Sequence, residues 1–179
     1  MEKFDRLDRK LVHKGSIISM YEDTVKVSNG NVVHWDFIGH NGAAAALPVT
    51  DDGKVILVKQ WRNALDRFTY EVPAGGLDGK DEPMIDCAAR ELEEETGYKA
   101  GKMEFLISVY TTVAFCNEKI DIFLARDLIK TETHFDEDED IELAVFDFDT
   151  LTDMIFSGEL NDSKTVAAIL AGKEKLNGK

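Results

Sequence analysis

Apolar and polar residues alternate along the first forty positions of the chain, which is the pattern of half-buried β-strands. The alternation predicts four short strands, near residues 7–13, 16–20, 24–28 and 31–38. Asn29-Gly30 separates the last two, and this dipeptide is typical of a type I′ hairpin turn. A small antiparallel sheet is therefore expected at residues 1–40.

Two apolar runs follow and predict buried strands. AAAALPV and KVILVKQW are separated by Thr50-Asp51-Asp52-Gly53, which has the composition of a turn, so the two strands are expected to pair. Further strands are expected near residues 103–111, 119–125 and 142–147, with helices from about Asp149 and over about Asp162–Leu176.

Between these strands lies MIDCAARELEEET, a run of strong helix formers. Pro83 suits the first turn of that helix, and Gly97 suits a left-handed stop directly after its last residue. Ile85, Ala88, Ala89 and Leu92 recur at spacings of three and four. They predict a face packed on the core, with the acidic side elsewhere.

Glu91 and Glu95 are four residues apart, so their Cβ atoms are expected about 6 Å from one another on one stripe of the helix. Two carboxylates at that separation repel unless solvent or a cation relieves the charge. Mg²⁺ prefers hard oxygen ligands and completes its shell with water and substrate phosphates. The pair therefore indicates a metal site for a diphosphate, and Mn²⁺ is an alternative to Mg²⁺.

Arg90 precedes Glu94 by four residues, so an ion pair is expected that orients the Glu94 carboxylate. The competing interpretation of this helix is an exposed acidic surface with incidental salt bridges. A second acidic cluster, DEDED at 136–140, lies in a predicted loop before a strand. It is either a solvated turn or the source of a general base.

Composition narrows the range of functions. The chain has 179 residues, 44% of them apolar, which predicts one main core with a smaller appendage. A net charge of −14 argues against nucleic acid as a partner. No apolar run approaches the length of a membrane span and no signal peptide is recognisable, so a cytoplasmic protein without membrane contact is expected.

The segment from Gly76 to Tyr98, GLDGKDEPMIDCAARELEEETGY, resembles the Nudix box at every defined position. With GAAAALPV, VILVKQWR, YEVPAGGLD, FDEDEDIE and DSKTVAAIL, the chain from about Gly42 to Leu176 resembles the ADP-ribose pyrophosphatase and nucleoside diphosphate sugar branch of the Nudix hydrolases. The resemblance implies an α+β fold. The implied fold is an α/β/α sandwich with a mixed sheet at 41–179. An N-terminal sheet at 1–40 is expected to be exchanged in a homodimer.

The resemblance also implies the site residues. The implied metal ligands are the Gly75 carbonyl, Glu91, Glu94, Glu95 and Glu139. Glu139 is the favoured loop carboxylate for activating water, because it lies nearer the following strand, and Glu137 is its competitor. Arg90 supports the metal ligands.

Four residues are matched to the substrate. Arg62 resembles a residue that contacts the diphosphate or the terminal sugar, and its alternative is a surface salt bridge. Glu71 and Glu118 match positions that hold ribose hydroxyls or support the metal site. Trp35 either stacks on the nucleobase or is buried with Val33 and Phe37, on the same strand face, against the partner subunit.

The implied reaction is hydrolysis of a nucleoside diphosphate sugar to a nucleoside monophosphate and a sugar phosphate. Relatives selective for ADP-ribose carry a Ser-Pro-Gly-like element where this chain has Thr112-Val113-Ala114, which shifts weight towards GDP-mannose or ADP-glucose. The alternatives are a non-catalytic nucleotide-sugar sensor and an enzyme for dinucleoside polyphosphates or RNA 5′ ends.

Overall fold

The computed structural model describes residues 3–16, 18–79, 81–133 and 140–178. These residues form ten strands and three helices. In chain order they are β1 (Asp5–Lys14), β2 (Ser19–Lys26), β3 (Val32–Gly39), β4 (Ala43–Pro48), β5 (Val55–Arg62), β6 (Arg67–Glu71), β7 (Ala74–Gly76), α1 (Met84–Thr96), β8 (Tyr98–Tyr110), β9 (Lys119–Lys130), β10 (Ile141–Phe146), α2 (Phe148–Ser157) and α3 (Ser163–Asn177).

The chain divides into two compact units. One contains the described residues of Met1–Gly42 together with Tyr110–Lys119, and the other contains those of Ala43–Val109 and Ile120–Lys179. No helix in the described part of the chain is both long and apolar enough to cross a membrane.

The first unit is built on the antiparallel sheet β1-β2-β3. The separate strands expected at 16–20 and 24–28 are wrong, because one continuous strand, β2, spans Ser19–Lys26. Asp23 lies inside this strand. It is only 8% exposed, and Arg9 donates to both of its carboxylate oxygens at 2.6 Å. A partnered carboxylate can therefore continue the strand.

The hairpin between β2 and β3 is confirmed, but its turn is not type I′. That turn needs positive φ at two successive central residues. Gly30 has φ 87°, whereas Asn29 is not among the described non-glycine residues with positive φ. Val27 accepts from the Gly30 N–H and donates to the Asn31 carbonyl, both at 2.9 Å. A three-residue loop that ends on a left-handed glycine therefore joins the strands.

The second unit contains a mixed sheet, β7-β4-β9-β8, in which β4 is parallel to β9 and antiparallel to β7. The expected pairing of β4 with β5 is wrong. β5 lies between β10 and β6 in a separate antiparallel sheet, and a single bridge from Val49 to Val55 joins the two runs. β6 and β7 were not predicted, because their short polar and glycine-rich sequences carry little periodicity.

Alternate residues of β4 contact opposite layers. Ala45 and Leu47 pack in one cluster with residues of β5, β9, α2 and α3, whereas Ala44 and Ala46 pack with Cys87 and Leu92 of α1, respectively. Helices therefore cover both faces of the mixed sheet. This is the predicted α/β/α sandwich.

Helix α1 begins after Pro83, which is its N-cap, and ends at the predicted glycine, Gly97, with φ 67°. Its buried face differs from the prediction. Ile85 is 39% exposed, whereas Cys87 is fully buried and Glu95 is only 4% exposed. The stripe of α1 that carries Glu91 and Glu95 therefore borders the core.

Candidate active site

Strand β7 brings a glycine against α1. Gly75 pairs with Ala44 of β4, and a Cβ atom built on Gly75 would lie 2.1 Å from Glu91 Oε1. That separation is far below any van der Waals contact. Position 75 thus tolerates no side chain while Glu91 keeps this orientation, and glycine is required there by close approach.

Glu91 and Glu95 both lie on the inward stripe of α1. The Glu91 side chain is 12% exposed and the Glu95 residue is 4% exposed. Burial of two carboxylates is costly unless hydrogen bonds or cations compensate. The fold nevertheless places Glu91 against Gly75 and Glu95 at the Ala74 N–H, which donates to Glu95 Oε2 at 3.3 Å.

Arg90 connects several acidic residues of the segment that resembles the Nudix box. Its guanidinium donates to Glu91 Oε1 at 2.7 Å, Glu94 Oε2 at 2.9 Å, the Gly76 carbonyl at 2.9 Å and Glu82 Oε1 at 3.1 Å. Burial disfavours the charged guanidinium, but these carboxylates outweigh it and raise the arginine pKa. The predicted Arg90–Glu94 ion pair is confirmed as part of this larger network.

Cys87 adds a contact that the sequence did not reveal. Its thiol donates to the Gly76 carbonyl at 3.3 Å and to the Gly75 carbonyl at 3.6 Å. Burial raises the pKa of this thiol to about 12, so it stays a neutral donor. Cys87 therefore helps to hold β7 against the helix.

The donor set suits a hard divalent cation whose shell is only partly supplied by protein. Glu91, Glu95 and the Gly75 backbone offer oxygen atoms alone, and glycine leaves room between helix and strand. No group of three or more His, Cys, Asp or Glu side chains among the described residues is arranged to enclose a metal. Mg²⁺ keeps waters and takes substrate phosphate oxygens, so an incomplete protein shell fits it.

Arg62 and Glu71 form a bidentate ion pair elsewhere in the second unit. Arg62 Nε donates to Glu71 Oε1 at 2.7 Å and Nη2 donates to Oε2 at 2.6 Å, while Thr69 Oγ1 donates to Oε1 at 2.6 Å. Burial would raise the pKa of Glu71, which is 3% exposed, but hydrogen bonds from Arg62 and the charge of Lys164 lower it to about 2. Glu71 is therefore a buried anion with fixed partners.

The first turn of α3 completes this cluster, and sequence reasoning missed it. Lys164 Nζ hydrogen-bonds to Glu71 Oε2 and lies 3.0 Å from Asp162 Oδ2. Asp162 caps α3 by accepting from the Thr165 N–H at 3.1 Å, and Thr165 Oγ1 accepts from the Val72 N–H at 2.9 Å. The only sequence signal was the DSKT segment, whose N-cap pattern indicates a helix start but no partner.

Arg62, Thr69 and Lys164 line a cavity of about 420 Å³. It is bounded on its other sides by Leu65 and Asn161. The Arg62 side chain is 42% exposed, in contrast to the buried Glu71. A ligand in the cavity can therefore reach the arginine.

Trp35 belongs to the first unit. It is 47% exposed and its ring lies 5.9 Å from that of Phe4, centroid to centroid. Together with Met20, Ile38 and Phe115 it lines a cavity of about 540 Å³ within that unit. The ring is thus accessible within this chain, both to a base and to a partner subunit.

Glu118 also belongs to the first unit. Its carboxylate accepts from Thr111 Oγ1 at 2.8 Å and lies 3.5 Å from His40 Nε2. The two candidate bases, Glu137 and Glu139, lie outside the described residues. Their roles therefore stay predictions.

Comparisons with known proteins identify the family of the chain. A NUDIX domain model matches residues 39–169. The chain is 38% identical to an ADP-ribose pyrophosphatase of Bacillus subtilis over 90% of its own length and 88% of that protein's. It is 36% identical to a methanol dehydrogenase activator of Bacillus methanolicus over 88% and 86% of the two chains.

A GDP-mannose pyrophosphatase of Salmonella arizonae is 37% identical over 70% of each chain. Among solved structures, an ADP compounds hydrolase superposes with a TM-score of 0.90 at 23% identity, over 99% of this chain and 96% of that one. At this identity the superposition shows the fold alone. The domain match covers most of the chain, and the chain therefore belongs to the Nudix family and is a pyrophosphohydrolase.

Proposed function

We propose that the chain hydrolyses the diphosphate bond of nucleoside diphosphate sugars, giving a nucleoside monophosphate and a sugar phosphate. The observation that carries this proposal is the close approach of Glu91 to Gly75, where a Cβ atom would lie 2.1 Å from Glu91 Oε1, beside Glu95 at the Ala74 N–H. Two carboxylates at one stretch of strand backbone suit a divalent cation with a bound diphosphate.

Glu91, Glu94, Glu95, the Gly75 carbonyl and Glu139 are the proposed ligands of Mg²⁺, with Mn²⁺ as an alternative ion. When bound, the ion would neutralise diphosphate oxygens and lower the pKa of an attacking water. Arg90 keeps the carboxylates of Glu91 and Glu94 oriented through its 2.7 Å and 2.9 Å hydrogen bonds. Cys87 and Arg90 both hold the Gly76 carbonyl.

Glu139 is the proposed general base that takes the proton of the attacking water, and Glu137 is the alternative. The sequence predicts a loop at DEDED, and loops commonly carry catalytic residues. The water attacks one phosphorus atom and the phosphate of the other half leaves. The reaction needs no redox partner.

Arg62 is proposed to contact the diphosphate or the terminal sugar, because it is exposed to the 420 Å³ cavity and held by Glu71. Trp35 is proposed to stack on the base, supported by its exposed ring. Glu118 is proposed to hold a ribose hydroxyl or support the metal site. Glu71 has the same proposed choice of roles, although its four hydrogen bonds and burial favour support of Arg62.

ADP-ribose is the first substrate to test. The relative named ADP-ribose pyrophosphatase matches 90% of this chain, whereas the relative named GDP-mannose pyrophosphatase matches 70%. The Thr112-Val113-Ala114 segment favours GDP-mannose or ADP-glucose instead. Both groups are nucleoside diphosphate sugars, so the reaction proposed is the same.

The N-terminal sheet is proposed to be exchanged between two copies of the chain, with residues 1–40 as the exchanged region and 41–179 as the hydrolase domain. Leu7, Leu11 and Val12 of β1 are 57%, 49% and 55% exposed. Exposed apolar residues on one strand are typical of a protein interface. Light scattering should give the mass of a dimer, and a monomer at micromolar concentration would reject this part of the proposal.

The decisive experiment is a hydrolysis panel with Mg²⁺, with Mn²⁺ and with EDTA. It contains ADP-ribose, GDP-mannose, ADP-glucose, UDP-glucose, diadenosine polyphosphates, nucleoside triphosphates and 5′-triphosphorylated RNA, and product masses are determined. Metal-dependent release of a monophosphate and a sugar phosphate supports the proposal. Binding of a nucleotide sugar without turnover would indicate a sensor, and turnover of RNA or dinucleoside polyphosphates alone would move the enzyme to another substrate class.

A further inference from the structure

Lys164 is a buried cation with no obvious structural purpose. Its side chain is 11% exposed, and its ammonium group contacts Glu71, whose side chain is 4% exposed. Buried ion pairs rarely add net stability, because removing both charges from water costs as much as their attraction returns. Replacing both members of such a pair by apolar side chains is often neutral, so its presence here points to a role beyond packing.

Glu71 is shared by two cations, Arg62 and Lys164. Lys164 also forms an ion pair with Asp162 at 3.0 Å, so the four side chains carry two charges of each sign. Asp162 is held in turn by the Thr165 N–H and hydroxyl as the cap of α3. Lys164 therefore ties Glu71, and through it Arg62, to the start of α3.

The geometry of Arg62 shows which part of its guanidinium is left available by the contact with Glu71. Glu71 binds Nε and Nη2, which leaves Nη1 without a hydrogen bond to any residue in the described ranges. Arg62 is also the more exposed member of the cluster, at 42% for its side chain. The bidentate pair therefore fixes the plane of the guanidinium while one edge stays available to a ligand.

We propose that Lys164 is a positioning residue of this hydrolase, which acts through Glu71 to hold the Arg62 guanidinium in place with its positive charge available to a diphosphate. This inference rests on the proposed function, in which Arg62 contacts the substrate. The proposed role of Lys164 is exerted through Glu71. Lys164 holds Glu71 Oε2, the oxygen that also accepts from Arg62 Nη2, and so keeps the carboxylate aligned with the guanidinium.

The test compares three variants of Lys164 and a matched control from the same helix. Lys164→Met removes the charge and keeps most of the volume, and Lys164→Gln keeps a donor for Glu71 should the methionine variant not fold. Lys164→Arg is the conservative replacement. The control is Lys173→Met, which removes a lysine whose Nζ donates to Asp149 at 2.9 Å.

The first readout is independent of turnover. Inorganic pyrophosphate is titrated into protein with ¹⁵N-labelled arginine, and the Arg62 Nε–Hε signal is followed after assignment by its loss in Arg62→Met. We expect the dissociation constant to weaken on the order of tenfold in Lys164→Met and Lys164→Gln, since a unit positive charge next to the Glu71–Arg62 pair is lost. Lys164→Arg and Lys173→Met should keep it within about twofold.

The second readout separates support of Arg62 from general destabilisation. In steady-state hydrolysis of ADP-ribose, Lys164→Gln should raise KM by a similar factor with little change in kcat. In the Arg62→Met background, Lys164→Gln should then add nothing to KM, because the two residues act through one contact. Additive effects in the double variant would show that Lys164 does not act through Arg62.

Several results would overturn the inference. They are an unchanged pyrophosphate constant in Lys164→Gln, an Arg62 signal that does not respond to pyrophosphate, and equal effects of Lys164→Gln and Lys173→Met. Failure of the proposed function looks different. The wild-type chain would then turn over no diphosphate sugar, while pyrophosphate binding still weakened in the Lys164 variants.

Discussion

Gly75 lies so close to Glu91 that the two residues cannot both carry a full side chain in their present positions. A Cβ atom at position 75 would lie 2.1 Å from Glu91 Oε1 and 2.3 Å from its carboxyl carbon. The clash is with the end of a flexible side chain, so Gly75→Ala should displace the carboxylate and leave the fold intact. We expect kcat to fall about a hundredfold, as for a misplaced catalytic group, with a Tm change below about 4 °C.

Gly76→Ala is the matched control, since a Cβ atom at position 76 meets nothing within 4 Å. Its kcat should stay near that of the wild type. Steady-state kinetics and thermal unfolding of both variants make the comparison. Equal activity in the two would show that Glu91 is not held where it must act.

Glu91→Gln and Glu95→Gln should each lower kcat on the order of a thousandfold, because each removes a charged oxygen ligand while keeping the shape of the side chain. The apparent Mg²⁺ constant should rise in both. Glu93→Gln serves as the control, as Glu93 pairs with Lys99 at 3.0 Å. Near-normal rates in the first two variants would reject the site.

Arg90→Met should remove the cation that separates Glu91 from Glu94. The variant is expected to lose both activity and thermal stability in EDTA, because neighbouring carboxylates then repel. Added Mg²⁺ should raise its Tm by more than it raises that of the wild type. A smaller rise would mean that the ion does not bind between these carboxylates.

The loop carboxylates are distinguished by paired substitutions. Glu139→Gln should lower kcat about a hundredfold or more, as expected for loss of a general base, and Glu137→Gln should have a small effect. The pH dependence of kcat should lose its acidic limb only in the deficient variant. The reverse order would assign the base to Glu137.

Glu71 gives the protein a specific response to acid. Its pKa falls from the ordinary 4.5 to about 2, so its contribution to stability is complete above pH 4.5 and is lost as the pH falls towards 2. This depression corresponds to at most about 3 kcal/mol.

Glu71→Gln should therefore destabilise the protein at pH 7, and the gap to the wild type should narrow at pH 3. Denaturant unfolding at both pH values measures the gap. Glu142→Gln, which alters an exposed pair with Lys59, should show no comparable dependence. A constant gap for Glu71→Gln would contradict the depressed pKa.

The sequence predicted those parts of the fold that local chemistry determines. Gly97 ends α1 as expected because a left-handed residue favours glycine. The loop at Asn29-Gly30 joins two strands as expected. Pairing of β4 with β5 was wrong, because β5 pairs with β6 on one side and with β10 on the other. β10 lies more than 80 residues further along the chain, as the Lys59–Glu142 contact shows. No local pattern encodes such a choice.

The candidate site, like the fold, is only partly predictable from local sequence. The spacing of Glu91 and Glu95 is visible in the sequence, whereas the approach of Gly75 depends on how β7 packs. Lys164 and Glu71 are 93 residues apart, and neither has a neighbour that marks it as a partner of the other. Their contact is a property of the tertiary structure alone.

The small residues of β4 set the distance between α1 and the mixed sheet. Ala44 and Ala46 are fully buried under Cys87 and Leu92, so the thickness of two methyl groups decides how far the α1 carboxylates stand from the β7 backbone. A valine at either position would push α1 away from the sheet. An activity screen alone would then show a similar loss of activity for a substitution at Ala44 or Ala46 and for one at a proposed metal ligand, although the alanines take no part in the chemistry.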